Sequence, residues 1–150
     1  MKSDPLITYR RKPATLDSTS LESFAETLRT RVARGRDFHC RITNDAELQS
    51  LNREFRKQDY ATDVLTFPGE GDIAISLDRA KAQAREWKHS VEDEIRILLL
   101  HAVLHLLGMD HETDGGQMKR REQSWRRKLG LPNALVTRTE LRTNQLRTNQ

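Results

Sequence analysis

The chain has 150 residues, of which 35% are hydrophobic and 32% are charged, enough for one domain that buries a core without disulfide bonds. Cys40 is the single cysteine, which excludes an internal disulfide and fits a reducing cytoplasm. The net charge of +4 is compatible with a polyanionic partner but does not identify one. The sequence shows no apolar signal core and no run of membrane-spanning length, so we expect a cytoplasmic protein that makes no membrane contact.

The first segments predict a strand followed by a helix. Residues 6–10 are typical of a short strand. The pattern Thr19-x-x-Glu22 is a capping box that predicts the start of a helix, and Gly35 is a natural stop. Apolar residues recur between them at helical spacing, so one face of this helix should be buried.

The next segments predict a half-buried strand and a second helix. Residues 38–43 alternate apolar and polar side chains, which places Cys40 in the core and His39 on the opposite face. Neither residue is therefore expected to take part in catalysis. A second capping box begins at Asn44, and the inner side of its helix is expected to carry Leu48, Leu51 and Phe55.

The second half of the chain is mostly helical. Two strands over residues 64–67 and 72–76 are joined by a turn-rich link, and a helix over residues 78–87 follows. Residues 91–107 form the most apolar segment, which predicts a buried central helix. A charged helix then closes the domain at Gly130. Strands early and helices late predict an α+β fold, a small mixed β-sheet covered by helices.

The end of the chain differs from the rest in composition. We expect a single domain over residues 1–135 and a polar, mobile tail over residues 136–150, which ends in a duplicated L-R-T-N-Q segment. A five-residue duplication is too short to be a structural repeat. The arginines of this tail leave open a weak contact with RNA through Arg138, Arg142 and Arg147.

The segment over residues 101–111, H-A-V-L-H-L-L-G-M-D-H, is the most informative in the sequence. Positions i and i+4 of a helix share one face, so His101 and His105 can present their imidazoles to a common point. Gly108 tolerates the left-handed conformation that ends a helix, which lets the chain turn and bring His111 to the same point. Three imidazoles that converge in this way predict one zinc ion per chain, with a fourth position left for water. Asp110 is a candidate acceptor for the second N–H of a ligand imidazole, although it could equally cap the helix.

Besides a catalytic zinc site whose substrate is still open, these histidines have two other interpretations. A histidine on an apolar helix is often a core residue with a hydrogen-bond partner. The spacing is also that of the metzincin peptidases, H-E-x-x-H-x-x-G-x-x-H, whose glutamate is the general base. Ala102 stands at that glutamate position and cannot accept a proton, which argues against proteolysis.

A second block supports a wider resemblance. Residues 51–68 read L-N-R-E-F-R-K-Q-D-Y-A-T-D-V-L-T-F-P, and residues 71–73 read G-D-I. Together with the histidine segment they resemble the YbeY family of bacterial endoribonucleases, whose patterns are L-N-x-x-[YF]-R-x-x-D-x-x-T-D-V-L-S-F-P, G-D-I and H-G-x-L-H-L-x-G-[YF]-D-H. The chain departs from them at Thr66, Ala102 and Met109, and its segment over residues 118–122, M-K-R-R-E, lacks the first glutamate of the family's M-E-x-x-E helix.

The resemblance implies an α+β fold and a zinc-dependent endoribonuclease that cleaves single-stranded RNA. It implies a role in small-subunit ribosomal RNA maturation and ribosome quality control. The expected partners are ribosomal RNA and, beyond it, ribosomal proteins or ribosome-associated GTPases. A zinc peptidase or another zinc hydrolase is the alternative function, and a protein that chiefly binds ribosomal RNA is a third.

Arg56 is the candidate catalytic residue outside the histidine segment. A guanidinium can bind two phosphate oxygens at once and stays charged at neutral pH. Its position matches the arginine that the family uses for catalysis. From the residues alone, a solvent-exposed arginine at a helix end is the favoured explanation of Arg56. The predicted catalytic set is therefore Arg56, His101, His105 and His111, and the three histidines are the predicted metal ligands.

Overall fold

The computed structural model of the chain describes residues 4–56, 62–108 and 115–132. These residues form an α+β fold, as predicted. A π-helical segment, Leu28–Val32, directly continues the first helix. The elements in chain order are β1 (Ile7–Tyr9), α1 (Ser18–Thr27), β2 (His39–Thr43), α2 (Asp45–Arg56), β3 (Val64–Phe67), β4 (Asp72–Ser76), α3 (Leu77–Trp87), α4 (Val91–Leu106) and α5 (Gln117–Leu129).

The four strands form one mixed sheet in the order β1-β2-β4-β3. β1, β2 and β4 run parallel, with Cys40 paired to Ile7 on one side and to Ile73 on the other. β3 is antiparallel to β4 and forms one edge of the sheet. The prediction of a small mixed sheet is therefore confirmed.

α4 is the central helix of the core. Eleven of its 16 residues are buried. It packs with α1 on the sheet face that presents Cys40, Ile73 and Ile75. The hydroxyl of Ser90 accepts a hydrogen bond from the backbone N–H of Asp93 and caps its N-terminus. A helix that is apolar on nearly all sides must be enclosed, which agrees with the buried central helix predicted from the sequence.

The start of α1 differs from the prediction. Asp17, not Thr19, caps the helix, and its carboxylate accepts from the backbone N–H of Ser20 at 3.1 Å. Glu22 accepts from the backbone N–H groups of Leu6 and Ile7 at 2.9 and 3.0 Å. β1 is an edge strand whose N–H groups need acceptors. Glu22 provides these acceptors and therefore does not form the predicted capping box.

α2 covers the opposite face of the sheet but buries less of its inner side than expected. The amide oxygen of Asn44 accepts from the backbone N–H of Glu47 at 2.9 Å, which confirms the predicted cap. Leu48 is fully buried, whereas Phe55 is 60% exposed, so the prediction for Phe55 was wrong. Phe55 belongs to the last turn of α2, where its ring meets Phe67 of the edge strand edge-to-face, with centroids 5.6 Å apart.

Cys40 and His39 lie as the strand alternation predicted. Cys40 is fully buried, and burial raises the pKa of its thiol, so the group stays protonated and unreactive at neutral pH. Nε2 of His39 lies 2.9 Å from the hydroxyl of Thr8 on the neighbouring strand. Among the described helices, none combines the length and apolar character that crossing a membrane requires. Residues 133–150 lie outside the described residues, so the predicted tail stays a prediction.

Candidate metal centre

α4 delivers two histidines to one point near its C-terminal end. Nε2 of His101 and Nε2 of His105 lie 3.1 Å apart, and the ring centroids are 4.7 Å apart. His101 is buried and His105 is half-buried. Gly108 has φ +89°, the left-handed conformation that the sequence predicted at the end of this helix. The convergence of His101 and His105 inferred from their spacing is therefore what the structure shows.

Glu122 of α5 contacts His101 through Nδ1, the ring nitrogen that does not face His105. Its Oε2 lies 3.1 Å from Nδ1 of His101, and the Glu122 side chain is fully buried. A hydrogen bond from Nδ1 to a carboxylate requires the proton on Nδ1, so neutral His101 turns the lone pair of Nε2 toward His105. Carboxylate–histidine pairs of this kind orient metal ligands and raise their basicity.

Sequence reasoning missed Glu122 as a site residue. Asp110 was the predicted acceptor for a ligand imidazole, and it lies outside the described residues. The signal was present, because Glu122 is the glutamate that the chain retains from the M-E-x-x-E pattern. Only the packing of α5 on α4 shows which imidazole it contacts.

The two histidines fit a shared metal ion. Two nitrogens bound to one tetrahedral zinc at 2.0–2.1 Å would lie about 3.3 Å apart, close to the 3.1 Å observed between the Nε2 atoms. His111, the third predicted ligand, lies outside the described residues. Within the ranges that the structure describes, no cluster of three or more His, Cys, Asp or Glu could hold a metal.

Arg56 does not share the histidines' contacts. It is exposed at the end of α2, and its Nη2 donates to the carbonyl oxygen of Thr66 at 2.9 Å. Thr66 lies in the edge strand opposite Ile73, next to the start of β4. Tyr60 and the rest of residues 57–61, in the sequence block that follows Arg56, lie outside the described residues.

Arg56 and the histidines nevertheless lie toward the same end of the sheet. The C-terminal end of α4 is located by Arg36, whose Nη1 donates to the carbonyl oxygen of Leu106 at 3.2 Å. Arg36 lies three residues before β2, so this end of α4 lies near the end of the sheet where β2 and β4 begin. Thr66, the partner of Arg56, is paired near that same end of β4.

The position after the first histidine carries no acidic group. Ala102 is fully buried within the hydrophobic core. A general base of the metzincin kind is therefore missing from the place where that family has it.

Comparison with known proteins places the chain in a family. The family model described as Endoribonuclease YbeY matches residues 7–130. The chain belongs to the YbeY family. A curated relative from Solibacter usitatus (strain Ellin6076), named Endoribonuclease YbeY, is 58% identical over 138 residues, which cover 89% of this chain and 94% of the relative. A relative of the same name from Nautilia profundicola is 50% identical over 112 residues, 70% of this chain and 81% of its own.

A solved structure supports the fold. The solution structure of TM1509 from Thermotoga maritima is similar to this chain with a TM-score of 0.54 and 29% sequence identity. The match covers 79% of this chain and 85% of that protein. The α+β architecture described above is thus shared with a structure that has been determined experimentally.

Proposed function

We propose that this YbeY-family chain is a metal-dependent endoribonuclease that cleaves single-stranded RNA. The observation that carries the proposal is the pair of Nε2 atoms 3.1 Å apart on α4, one of them on an imidazole held by the buried Glu122. The relatives named as endoribonucleases support the choice of RNA as substrate.

The proposed metal is one zinc ion per chain, held by His101, His105 and His111. When bound, zinc supplies a Lewis acid for a phosphoryl oxygen and lowers the pKa of water toward about 7. Three neutral ligands would leave its double positive charge uncompensated, which favours an anionic substrate over a peptide carbonyl. Glu122 keeps His101 in the tautomer that can bind the metal.

Arg56 and Phe55 are the proposed contacts to RNA beside the metal. The Arg56 guanidinium is exposed, and one of its nitrogens already donates to Thr66, which orients the rest of the group. It can bind a phosphate through charge-assisted hydrogen bonds. The neighbouring Phe55 ring is 60% exposed, and an unpaired base can stack on it. Stacking requires a base that is free of a duplex, which supports single-stranded RNA as the substrate.

The proposed physiological substrate is ribosomal RNA of the small subunit, in the cytoplasm. Phe55 and Arg56 provide stacking and charge, neither of which distinguishes one base from another, so sequence preference in isolation should be weak. Ribosomal proteins or ribosome-associated GTPases would then determine which site in the RNA is cleaved. The zinc peptidase alternative is not favoured, since Ala102 is buried and carries no carboxylate.

The proposal is tested with the metal-loaded protein on a single-stranded RNA, the same RNA as a duplex, and casein. We expect cleavage of the single strand, slower cleavage of the duplex and no cleavage of casein. His105→Ala should abolish RNA cleavage, while His39→Ala, which removes a histidine bonded to Thr8, should retain it.

Three results would contradict the proposal. They are hydrolysis of casein that His105→Ala abolishes, RNA cleavage that survives His105→Ala, and intact single-stranded RNA after incubation with a protein shown to contain metal. The last result, combined with tight RNA binding, would favour a protein that chiefly binds RNA.

A further inference from the structure

A second cationic site lies where the parallel strands end. A cleft of about 360 Å³ opens beyond the carboxyl ends of β1 and β2 and the start of α3. Crevices at the carboxyl ends of parallel strands are common ligand sites in α/β sheets. Its charged lining consists of four basic side chains and one acidic one, namely Arg10, Arg11, Lys12, Lys81 and Asp78.

Most of this positive charge is not neutralised by the protein. Arg10 has a loose ion pair with Glu47 at 3.9 Å. Arg11, Lys12 and Lys81 are exposed, and within the described part of the chain no carboxylate forms an ion pair with them. Among the described residues, these three cations therefore have no ion-pair partner.

The acidic groups around the cleft are already engaged. Asp78 accepts from the backbone N–H of Asp45 at 3.0 Å, and Asp45 itself pairs with Arg79 at 3.3 Å. Glu47 binds Arg41 at 2.6 Å. Each carboxylate thus has a partner outside the set of three free cations. The lining has four basic side chains against the one carboxylate of Asp78, and this excess of positive charge favours an anionic ligand.

This cleft is separated from the candidate metal centre by the length of the sheet. Arg56 is bonded to Thr66, which pairs with Ile73 near the start of β4, whereas Leu77 follows the end of that strand and lines the cleft. The four residue steps from Ile73 to Leu77 correspond to roughly 13 Å at about 3.3 Å per residue. A single nucleotide cannot occupy both places, but an extended polymer of phosphates can.

We propose that the cleft is an anchoring site for the phosphate backbone of single-stranded RNA, remote from the bond that is cut. The inference rests on the proposed endoribonuclease function. Arg11, Lys12 and Lys81 bind phosphates of a segment that lies beyond the cleavage site. This cleft contributes affinity for long RNA and has no part in the reaction, so short RNA is cleaved without its help.

The test compares Lys12→Gln/Lys81→Gln with Arg85→Gln/Arg127→Gln, a control that removes two exposed cations outside the cleft. Binding is measured by fluorescence anisotropy with a 2′-O-methylated single-stranded RNA of about 20 nucleotides, longer than one basic groove contacts. The cleft variant should bind about tenfold more weakly at low salt, and its salt slope should fall by about 1.4, or about 0.7 per lost phosphate contact. The control should change affinity less than twofold.

Cleavage of two unmodified RNAs provides the second readout. The cleft variant should show lower kcat/KM for RNA of about 20 nucleotides and an unchanged value for a dinucleotide, whose single phosphodiester cannot lie at both places. The binding measurement does not require cleavage, so it decides about the cleft even if the proposed function fails.

Several outcomes would overturn the proposal. Equal losses in the cleft and control variants would show that net charge alone matters. An unchanged affinity of the cleft variant would show that the cleft does not bind RNA. Displacement of the long RNA by AMP or inorganic phosphate at comparable concentration would show that the cleft binds a small phosphate ligand instead of a polymer. Melting temperatures of both variants should match the wild type, because the substituted side chains are exposed.

Discussion

Oε2 of Glu122 lies 3.1 Å from Nδ1 of His101, and this pair joins the last described helix to the central one. The glutamate is fully buried and the imidazole side chain is 10% exposed. The same protein contains a second buried pair of this type, Glu94 with His89, at 2.6 Å. Glu94 lies at the other end of α4, so it provides a control for the effect of a buried carboxylate as such.

Glu122→Gln should weaken metal binding by about 10- to 100-fold, because an amide oxygen raises the basicity of His101 less than a carboxylate does. Competition with a chromogenic chelator measures the affinity. Glu94→Gln should leave the affinity unchanged. Equal affinities of Glu122→Gln and wild type would assign Glu122 to packing alone.

Wild-type protein should contain about one equivalent of zinc by elemental analysis, and the double variant His101→Ala/His105→Ala should contain almost none. Metal removal should also lower the melting temperature, since a ligand that binds only the folded state stabilises it. His39→Ala is the control for the loss of a histidine. Undiminished metal in the double variant would rule out these ligands.

Arg56→Ala should reduce RNA cleavage by a factor of about ten or more, since one charge-assisted phosphate contact is worth about 1.5–3 kcal/mol. Metal content should not change. The melting temperature should fall only slightly, because the side chain is exposed and makes one hydrogen bond to Thr66. Arg56→Lys should recover part of the activity. Unfolding of Arg56→Ala with normal metal content would make the arginine structural.

Phe55→Ala should weaken binding of single-stranded RNA by about 1–3 kcal/mol, the usual value of a base stacked on an aromatic ring. Phe55→Tyr keeps a ring at the same place and should bind as the wild type does. Phe55→Leu separates stacking from simple apolar contact. If Leu and Tyr bind equally well, the ring serves its contact with Phe67 and not a base.

Glu47 should make the stability of the folded protein decrease as the pH falls into the acid range. The hydrogen bond from Arg41 is the largest cause that holds the pKa of this carboxyl below its ordinary 4.5. The folded state thus favours the ionised form, and its contribution is complete above pH 4.5 and lost as pH falls through the lowered pKa. Melting temperatures of wild type and Glu47→Gln should differ most near neutral pH and converge in acid. A constant difference across this range would contradict the linkage.

Local patterns in the sequence determined the elements and the spacing of His101 and His105. The alternation around Cys40 and the apolar character of residues 91–107 predicted a core strand and a buried helix, since burial follows from side-chain periodicity. The separation of His101 and His105 determined their common face, because four residues are about one helical turn. These are local properties, and local geometry decides them.

The contacts of the polar side chains depend on tertiary packing. Glu22 was expected to cap α1 and instead binds the backbone of β1, and Glu122 was found against His101 only through the packing of α5 on α4. Phe55 has the helical spacing of a core residue but is 60% exposed in the last turn of α2, where its ring meets the edge of the sheet at Phe67. A carboxylate or a ring can reach several partners from one backbone position, and the partner it meets depends on residues far away in the chain, which no local pattern records.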